Sequence, residues 1–369
     1  MASHVTISRP PLVERHEMTA AWFTQALRHA GLLGEGSVTT VESTPIGTGQ
    51  VADTLVFTLA YDDPGPAAPT TLVAKVSAAD ADSRAAALGQ RLYEREVRFY
   101  QHVLERTGIR TPRHLYSDID TATGQFVLLL EDLSPASSVN QLTGFSVEHA
   151  RRALDQAAAL HAPMWGDDTL ADVDWLNHTR ATGEALAQLA PMLTESFCER
   201  YAADLDDALL AQIRRLNALA PAFWTTQDGP LTVIHADFRT DNMLFDAKAG
   251  EYPVAVVDWQ TVDRGNGLLD VAFLLGTALE PDTRRAHEQE LVSRYFDALI
   301  AGGVRDYDWQ QCWIDYRRHA CYAVYFLAPA AMLVERTERG DQMFLTMIRR
   351  ALVQITDLDT ETLLERRPC

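Results

Sequence analysis

The stretch Val233-Ile234-His235-Ala236-Asp237-Phe238-Arg239-Thr240-Asp241-Asn242-Met243-Leu244-Phe245 opens as an apolar strand, breaks into polar and charged side chains, and returns to apolar residues. A polar loop between two short strands sits in a rigid frame, which would present Asp237 and Asn242 at a fixed separation. Downstream, the apolar run Pro253-Val254-Ala255-Val256-Val257 ends in Asp258. Two carboxylates and an amide, each at a strand end, suit a hard cation held by oxygen ligands. Mg2+ is bound in this way, through few protein ligands, with substrate phosphates completing its shell. Phosphoryl transfer also needs a group that orients the attacking hydroxyl and takes its proton. Asp237 fits that second role, with Asn242 and Asp258 left to hold the metal.

The elements that must position these residues can be read from periodicity. Residues 17–31 space Trp22, Ala26 and His29 or Leu27 as a helix that stops at Gly31. Residues 37–78 alternate Thr and Val around glycine- and proline-containing turns, the pattern of a small antiparallel meander. One long helix is expected from 83 to about 105, then a buried strand within 124–134. Beyond 145 the chain reads as helices over 146–165, 180–190, 203–219, 283–302, 309–336 and 340–357, interrupted by a strand-rich island at 232–260. At 369 residues the chain exceeds the usual limit of ~250 to 300 residues for a single core. The expected architecture is therefore α+β and two-lobed: a small β-rich N-terminal lobe (1–133) with one long helix, and a larger, mainly helical C-terminal lobe (134–369). A cleft is expected where the lobes join.

Composition excludes several partners. A formal charge of −19 disfavours nucleic acid, which needs a cationic face to displace counterions. The first residues lack the apolar segment of a secretory signal. The longest apolar run, Cys321–Val334, is shorter than the ~20 residues a bilayer requires and contains Pro329. It reads as a buried helix, and the protein is expected in the cytoplasm without a membrane partner. Cys198, Cys312, Cys321 and Cys369 show no metal-ligand spacing and read as free thiols.

The order His235-x-Asp237-x-x-x-x-Asn242 followed by a metal-binding Asp258 resembles the kinase catalytic loop. With His235-Ala236-Asp237 and Val257-Asp258-Trp259-Gln260, the chain is similar to the aminoglycoside phosphotransferase and choline kinase superfamily, nearest its ecdysteroid-kinase-like branch. The resemblance spans about 45 to 335 and is most specific over 233–274. It implies a protein-kinase-like fold, ATP and Mg2+ as cofactors, and a small-molecule hydroxyl as acceptor. It also implies that Lys75, in Leu72-Val73-Ala74-Lys75-Val76, pairs with the α- and β-phosphates. Further, it implies that the Glu131 carbonyl and the Leu133 amide meet adenine, and that Asp270 supports the catalytic loop. For Asp270 the alternative reading is a helix N-cap.

A lysine that holds phosphates needs a carboxylate to fix it, and helical geometry chooses between Glu94 and Glu96. Leu88, Leu92, Glu96 and Phe99 share one face, whereas Glu94 is turned about 200° from Leu92 at roughly 100° per residue. A glutamate on an apolar stripe must have a buried partner, which selects Glu96. Gly47 and Gly49 lie in a turn where backbone amides can approach phosphates, though the third glycine of a GxGxxG loop is missing. His235 and His161 are read as hydrogen-bonded structural residues. Trp165, residues 166–175 and the acidic Asp204, Asp206 and Asp207 are candidate lining for an acceptor site.

The expected function is ATP-dependent phosphorylation of an alcohol on an aminoglycoside-like, amino-alcohol or other metabolite. Protein kinase activity is disfavoured, since no Ala-Pro-Glu follows Asp258. A nucleotide-binding, pseudokinase-like module is the alternative, and the full set Lys75, Glu96, Asp237, Asn242 and Asp258 argues against it. A metal-dependent hydrolase would have no use for Lys75 and Glu96.

Overall fold

The computed structural model describes residues 8–46, 51–142, 145–225 and 229–365. Gly47 and Gly49 fall outside them. The chain divides into two compact units. Unit 1 takes in residues up to Val103 and Thr111–Ser134, and unit 2 takes in Leu104–Arg110 and everything from Pro135 onward.

Unit 1 is built on a five-stranded antiparallel sheet. Its strands are β1 (Val38–Pro45), β2 (Ala52–Tyr61), β3 (Thr71–Ser77), β4 (His114–Ile119) and β5 (Phe126–Glu131), in spatial order β1-β2-β3-β5-β4. Side chains alternate faces along a strand. Leu72, Ala74 and Val76 of β3 therefore enter one core with Leu55, Phe57 and Leu59 of β2, and Lys75 emerges on the other face. Helix α1 (Ala20–His29) covers that core. Its N-cap, Thr19, accepts the Trp22 N–H, and its buried stripe is Trp22, Phe23, Ala26 and Leu27. The ring of Phe23 lies 5.1 Å from that of Trp22 and 4.9 Å from that of Phe57.

The single long helix expected after the meander is instead two, α2 (Ala81–Gly89) and α3 (Leu92–Arg98). Gly89 weakens the helix end, and Arg91 adopts left-handed geometry at φ 56°, which starts α3 with a new axis. The Arg91 guanidinium then pairs with Glu94 at 2.8 Å.

Unit 2 is mainly helical. Helices α4 (Val147–His161), α5 (His178–Arg200) and α6 (Asp207–Thr225) precede the strand-rich island. There β6 (Ser137–Ser138), β8 (Met243–Asp246) and β9 (Tyr252–Val256) form one ladder, while β7 (Thr232–Ile234) pairs with β10 (Asp263–Gly265). A short turn, α7 (Ala247–Gly250), links β8 to β9. Next comes α8 (Leu268–Ala278), buried at every position, as expected of a helix apolar all round. Helices α9 (Pro281–Ala301), α10 (Trp309–His319), α11 (Tyr322–Leu333), α12 (Glu338–Asp357) and α13 (Thr360–Glu365) complete the unit.

The helix expected over 309–336 is divided at Ala320–Cys321. His319 Nδ1 lies 2.8 Å from the Asp315 carbonyl, and Cys321 Sγ donates to the Arg318 carbonyl. Side chains thus take up backbone acceptors where α10 ends. Among the described residues no helix is long and apolar enough to cross a membrane. Cys198, Cys312 and Cys321 are buried free thiols. The β-rich first unit and mainly helical second unit match the α+β expectation.

Phe23 is fully buried, so truncating it leaves a cavity that the sheet cannot refill. Phe23→Ala is expected to cost about 3–5 kcal/mol, read as a lower denaturant midpoint at unchanged slope.

Candidate active site

Strand β7 ends at Ile234, and the chain turns sharply because Ala236 holds a left-handed φ of 62°. Such geometry costs a residue with a Cβ on the order of 1–3 kcal/mol and persists only where surroundings over-determine it. Here they do. Asp270, in the first turn of α8, accepts the His235 N–H at 2.7 Å on one oxygen and the Ala236 N–H at 2.9 Å on the other. Tyr322 of α11 donates its hydroxyl to the Ala236 carbonyl at 2.6 Å, and Thr261 donates to the His235 carbonyl at 2.9 Å. The N-cap reading of Asp270 is therefore wrong. Gly267 occupies that position, and the Asp270 carboxylate caps the loop rather than its own helix.

Asp270 is itself held from below. Fully buried His161 places Nε2 3.3 Å from Asp270 Oδ2, and its Nδ1 lies 2.8 Å from the Tyr295 hydroxyl. His235 is equally committed. Its Nε2 lies 3.0 Å from the Val257 carbonyl and its Nδ1 lies 3.3 Å from the Asp237 N–H, which sets the proton on Nε2. Both histidines orient the loop.

Asp237 is 8% exposed. Asn242, at the end of a 3₁₀ turn, donates Nδ2 to the Asp237 carbonyl and to its Oδ2, each at 2.9 Å. Arg239 brings Nε to 3.0 Å from Asp237 Oδ1 and Nη1 to 2.8 Å from Asp241 Oδ2. The Oδ1 contact is an ion pair and not a well-aligned hydrogen bond, since that oxygen has no hydrogen-bond donor. Burial pushes the Asp237 carboxyl above its usual range, Arg239 and His235 pull it back, and the Asp258 charge adds to the rise. Burial pulls the Arg239 guanidinium down, but Asp237 and Asp241 outweigh it and leave the group raised.

Asp258 follows β9, in left-handed geometry at φ 67°. The β8–β9 ladder pairs Met243 with Val256, and the Val257 N–H reaches the Asn242 carbonyl at 3.0 Å. Asn242 and Asp258 thus stand at adjacent ends of two paired strands. The Asn242 amide nitrogen is committed to Asp237, so the oxygen is what this side chain can offer a cation. Among the described residues no three histidine, cysteine or carboxylate side chains converge as a metal cage. A carboxylate and an amide on adjacent strand ends are oxygen donors of the kind that suits a hard ion drawing its remaining ligands from water and phosphate.

Unit 1 carries a second cluster. Lys75 projects from β3 to α3, where its Nζ lies 2.7 Å from Glu96 Oε1 and 2.6 Å from Oε2. Glu96 is 1% exposed, and a carboxylate so buried is stable only when paired. Glu94 makes its contacts with Arg91 and Arg98 instead. Glu131 ends β5 with its carboxylate accepting the Arg113 N–H at 3.2 Å, and Leu133 is buried just beyond.

The acceptor-lining residues do not assemble as one group. Asp204 borders a cavity of about 450 Å3 with Arg336, Asp341 and Gln342. Trp165 packs on Tyr307 at 4.9 Å, and Asp206 caps the start of α6 through the Leu209 N–H. Sequence reasoning assigned no part to Arg239, Tyr322 or Thr261. Arg239 left a signal, a cation two residues from the candidate base. The other two arrive from distant segments and left none.

A model of the phosphotransferase enzyme family, APH, matches residues 61–312. The chain belongs to this family. No curated protein matches it. Among solved structures, Plasmodium vivax ethanolamine kinase is similar with a TM-score of 0.53 at 10% identity, covering 91% of this chain and 87% of the kinase. An aminoglycoside phosphotransferase from Alicyclobacillus acidocaldarius gives 0.50 at 15% identity and covers 98% of both chains. A variant of aminoglycoside 2′-phosphotransferase IIIa in complex with GDP gives 0.50 at 11% identity, covering 88% of this chain and 92% of that one. At these identities the likeness carries the fold, and the family match makes the protein a phosphotransferase.

The Asp270 contacts yield a direct test of how the phosphotransferase holds its loop. Asp270→Ala orphans two buried amides, each worth about 1–3 kcal/mol. The variant is expected to lose a total of about 2–6 kcal/mol in chemical denaturation. Hydrogen exchange at the His235 and Ala236 amides should quicken beyond what that global loss explains.

Proposed function

We propose that the protein transfers the γ-phosphoryl group of ATP to a hydroxyl of a small molecule. The observation that carries this reading is the Asp237 carboxylate, buried yet held in one orientation by Asn242 on a loop fixed by Asp270. In unit 2, Asp237 accepts the proton of the acceptor hydroxyl as the new oxygen–phosphorus bond forms and the bond to the β-phosphate oxygen breaks, releasing ADP. Asn242 Oδ1 and the Asp258 carboxylate are the ligands for Mg2+, which when bound neutralises charge on the phosphates. In unit 1, Lys75 pairs with the α- and β-phosphates while Glu96 fixes its ammonium. Glu131 and Leu133 serve the adenine through their backbones. Catalysis of this kind rests on positioning and charge neutralisation.

The GDP bound to the aminoglycoside 2′-phosphotransferase IIIa variant supports a purine nucleotide as donor. The acceptor is a hydroxylated small molecule of the aminoglycoside-like or amino-alcohol kind. A formal charge of −19 favours the approach of cationic acceptors over anionic ones.

The deciding experiment is a screen of purified protein with ATP or GTP and Mg2+ against aminoglycosides, amino alcohols, sugars and hydroxylated lipophiles, following labelled phosphate into product. Asp237→Ala is expected to abolish transfer while nucleotide affinity in calorimetry is retained. Transfer at the wild-type rate in that variant removes Asp237 from its role. Exchanging Lys75→Met together with Glu96→Gln avoids an orphaned buried carboxylate. This pair is expected to weaken ATP binding by about 10- to 100-fold, since hydrogen bonds to charged groups contribute about 1.5–3 kcal/mol. An unchanged dissociation constant would exclude both residues from the nucleotide site.

A further inference from the structure

The Arg239 guanidinium sits between two carboxylates of its own loop, at 3.0 Å from Asp237 Oδ1 and 2.8 Å from Asp241 Oδ2. Its Nη1 also lies 3.3 Å from Met343 Sδ, a contact supplied by α12. The side chain is only 20% exposed, so this is an arm fixed at several atoms and not a surface chain free to swing. Asn242 Nδ2 donates to Asp237 Oδ2 at 2.9 Å, and Arg239 Nε donates to the same oxygen at 3.2 Å. The amide and the guanidinium thus meet on one oxygen, and Nε keeps its ion-pair distance of 3.0 Å to the other, so two separate residues hold the carboxylate.

The geometry points to Arg239 as a positioning residue for phosphoryl transfer. It turns the Asp237 carboxylate to the acceptor hydroxyl and is held in place by Asp241. This deepens the phosphotransfer reading and rests on it. Three consequences of the arrangement make the assignment specific. Nε is the guanidinium atom on Asp237, so a lysine ammonium has no fork with which to span both carboxylates and restores the arrangement only in part. Asp241 acts at one remove, through Arg239, and its loss loosens the base without leaving Asp237 unpaired. The contacts lie within the loop and α12, so an effect on catalysis should leave nucleotide affinity unchanged.

The test compares Arg239→Met, Arg239→Lys and Asp241→Asn with the wild type. It follows Mg2+-dependent ATP turnover, with the best acceptor from the screen and with water alone, and the melting temperature. Misplacement of a reacting group by about 1 Å can cost on the order of 100-fold. Arg239→Met is therefore expected to lower kcat by about 100-fold with nucleotide KM changed by less than about threefold. Arg239→Lys should recover about tenfold of that loss, and Asp241→Asn should lower kcat by about tenfold.

A kcat for Arg239→Met within twofold of wild type, or a fall that vanishes once corrected for the folded fraction, overturns the assignment while leaving phosphotransfer standing. If Arg239→Met does not fold, Asp241→Asn decides, and an unaltered kcat there overturns the assignment. A readout independent of turnover is the ¹⁵N-detected Arg239 Nε–H resonance of the nucleotide-free protein. It should be protected from exchange in wild type and lose protection in Asp241→Asn; rapid exchange in the wild type overturns the assignment. Wild-type protein that turns over no nucleotide with any acceptor instead overturns the phosphotransfer reading, and this inference with it.

Discussion

A carboxylate buried beside another carboxylate is the constraint from which the rest of unit 2 follows. Asp237 is nearly inaccessible, and the charge of Asp258 opposes its ionisation. Taken from water with nothing in return, such a group would rather bind a proton than stay charged. Arg239 and Asn242 answer that demand with a cation and an amide, and both lie within five residues of Asp237 in the chain. The loop therefore carries its own counter-charge. This is why an apolar strand gives way to so many polar residues in so short a span.

The same logic recurs in unit 1 with simpler parts. Glu96 is more deeply buried than Asp237, and Lys75 satisfies both of its oxygens. The ammonium comes from the middle of a sheet and the carboxylate from a short helix, so neither partner moves without the other. Buried pairs of this kind add little net stability, because desolvation offsets the attraction.

How much of this was legible in the sequence depends on the range of the interaction. The strand–loop–strand frame around Asp237 and Asn242 is local, and alternation together with the polar break revealed it. Glu96 was separable from Glu94 because helical periodicity acts within one turn, even though the helix assumed for that argument proves to be two. The break at Arg91 went unseen because a left-handed arginine has no signature stronger than the glycine two positions before it. The end of α10 was hidden for a related reason, since it depends on where the His319 and Cys321 side chains turn. Asp270 was recognisable as a residue with work to do. Its role under the loop came from the family resemblance, because its partners lie more than thirty residues away and local sequence offers only the helix-cap alternative.

The clamp on Ala236 has one consequence for binding. Its peptide groups are fixed through the N–H by Asp270 and through the carbonyl by Tyr322, both side chains of buried helices. The loop thus owes its shape to the interior of unit 2 and needs no visiting molecule to order it. A ligand that meets an already immobile backbone does not suffer the entropy loss of freezing it, because that loss was absorbed when the chain folded.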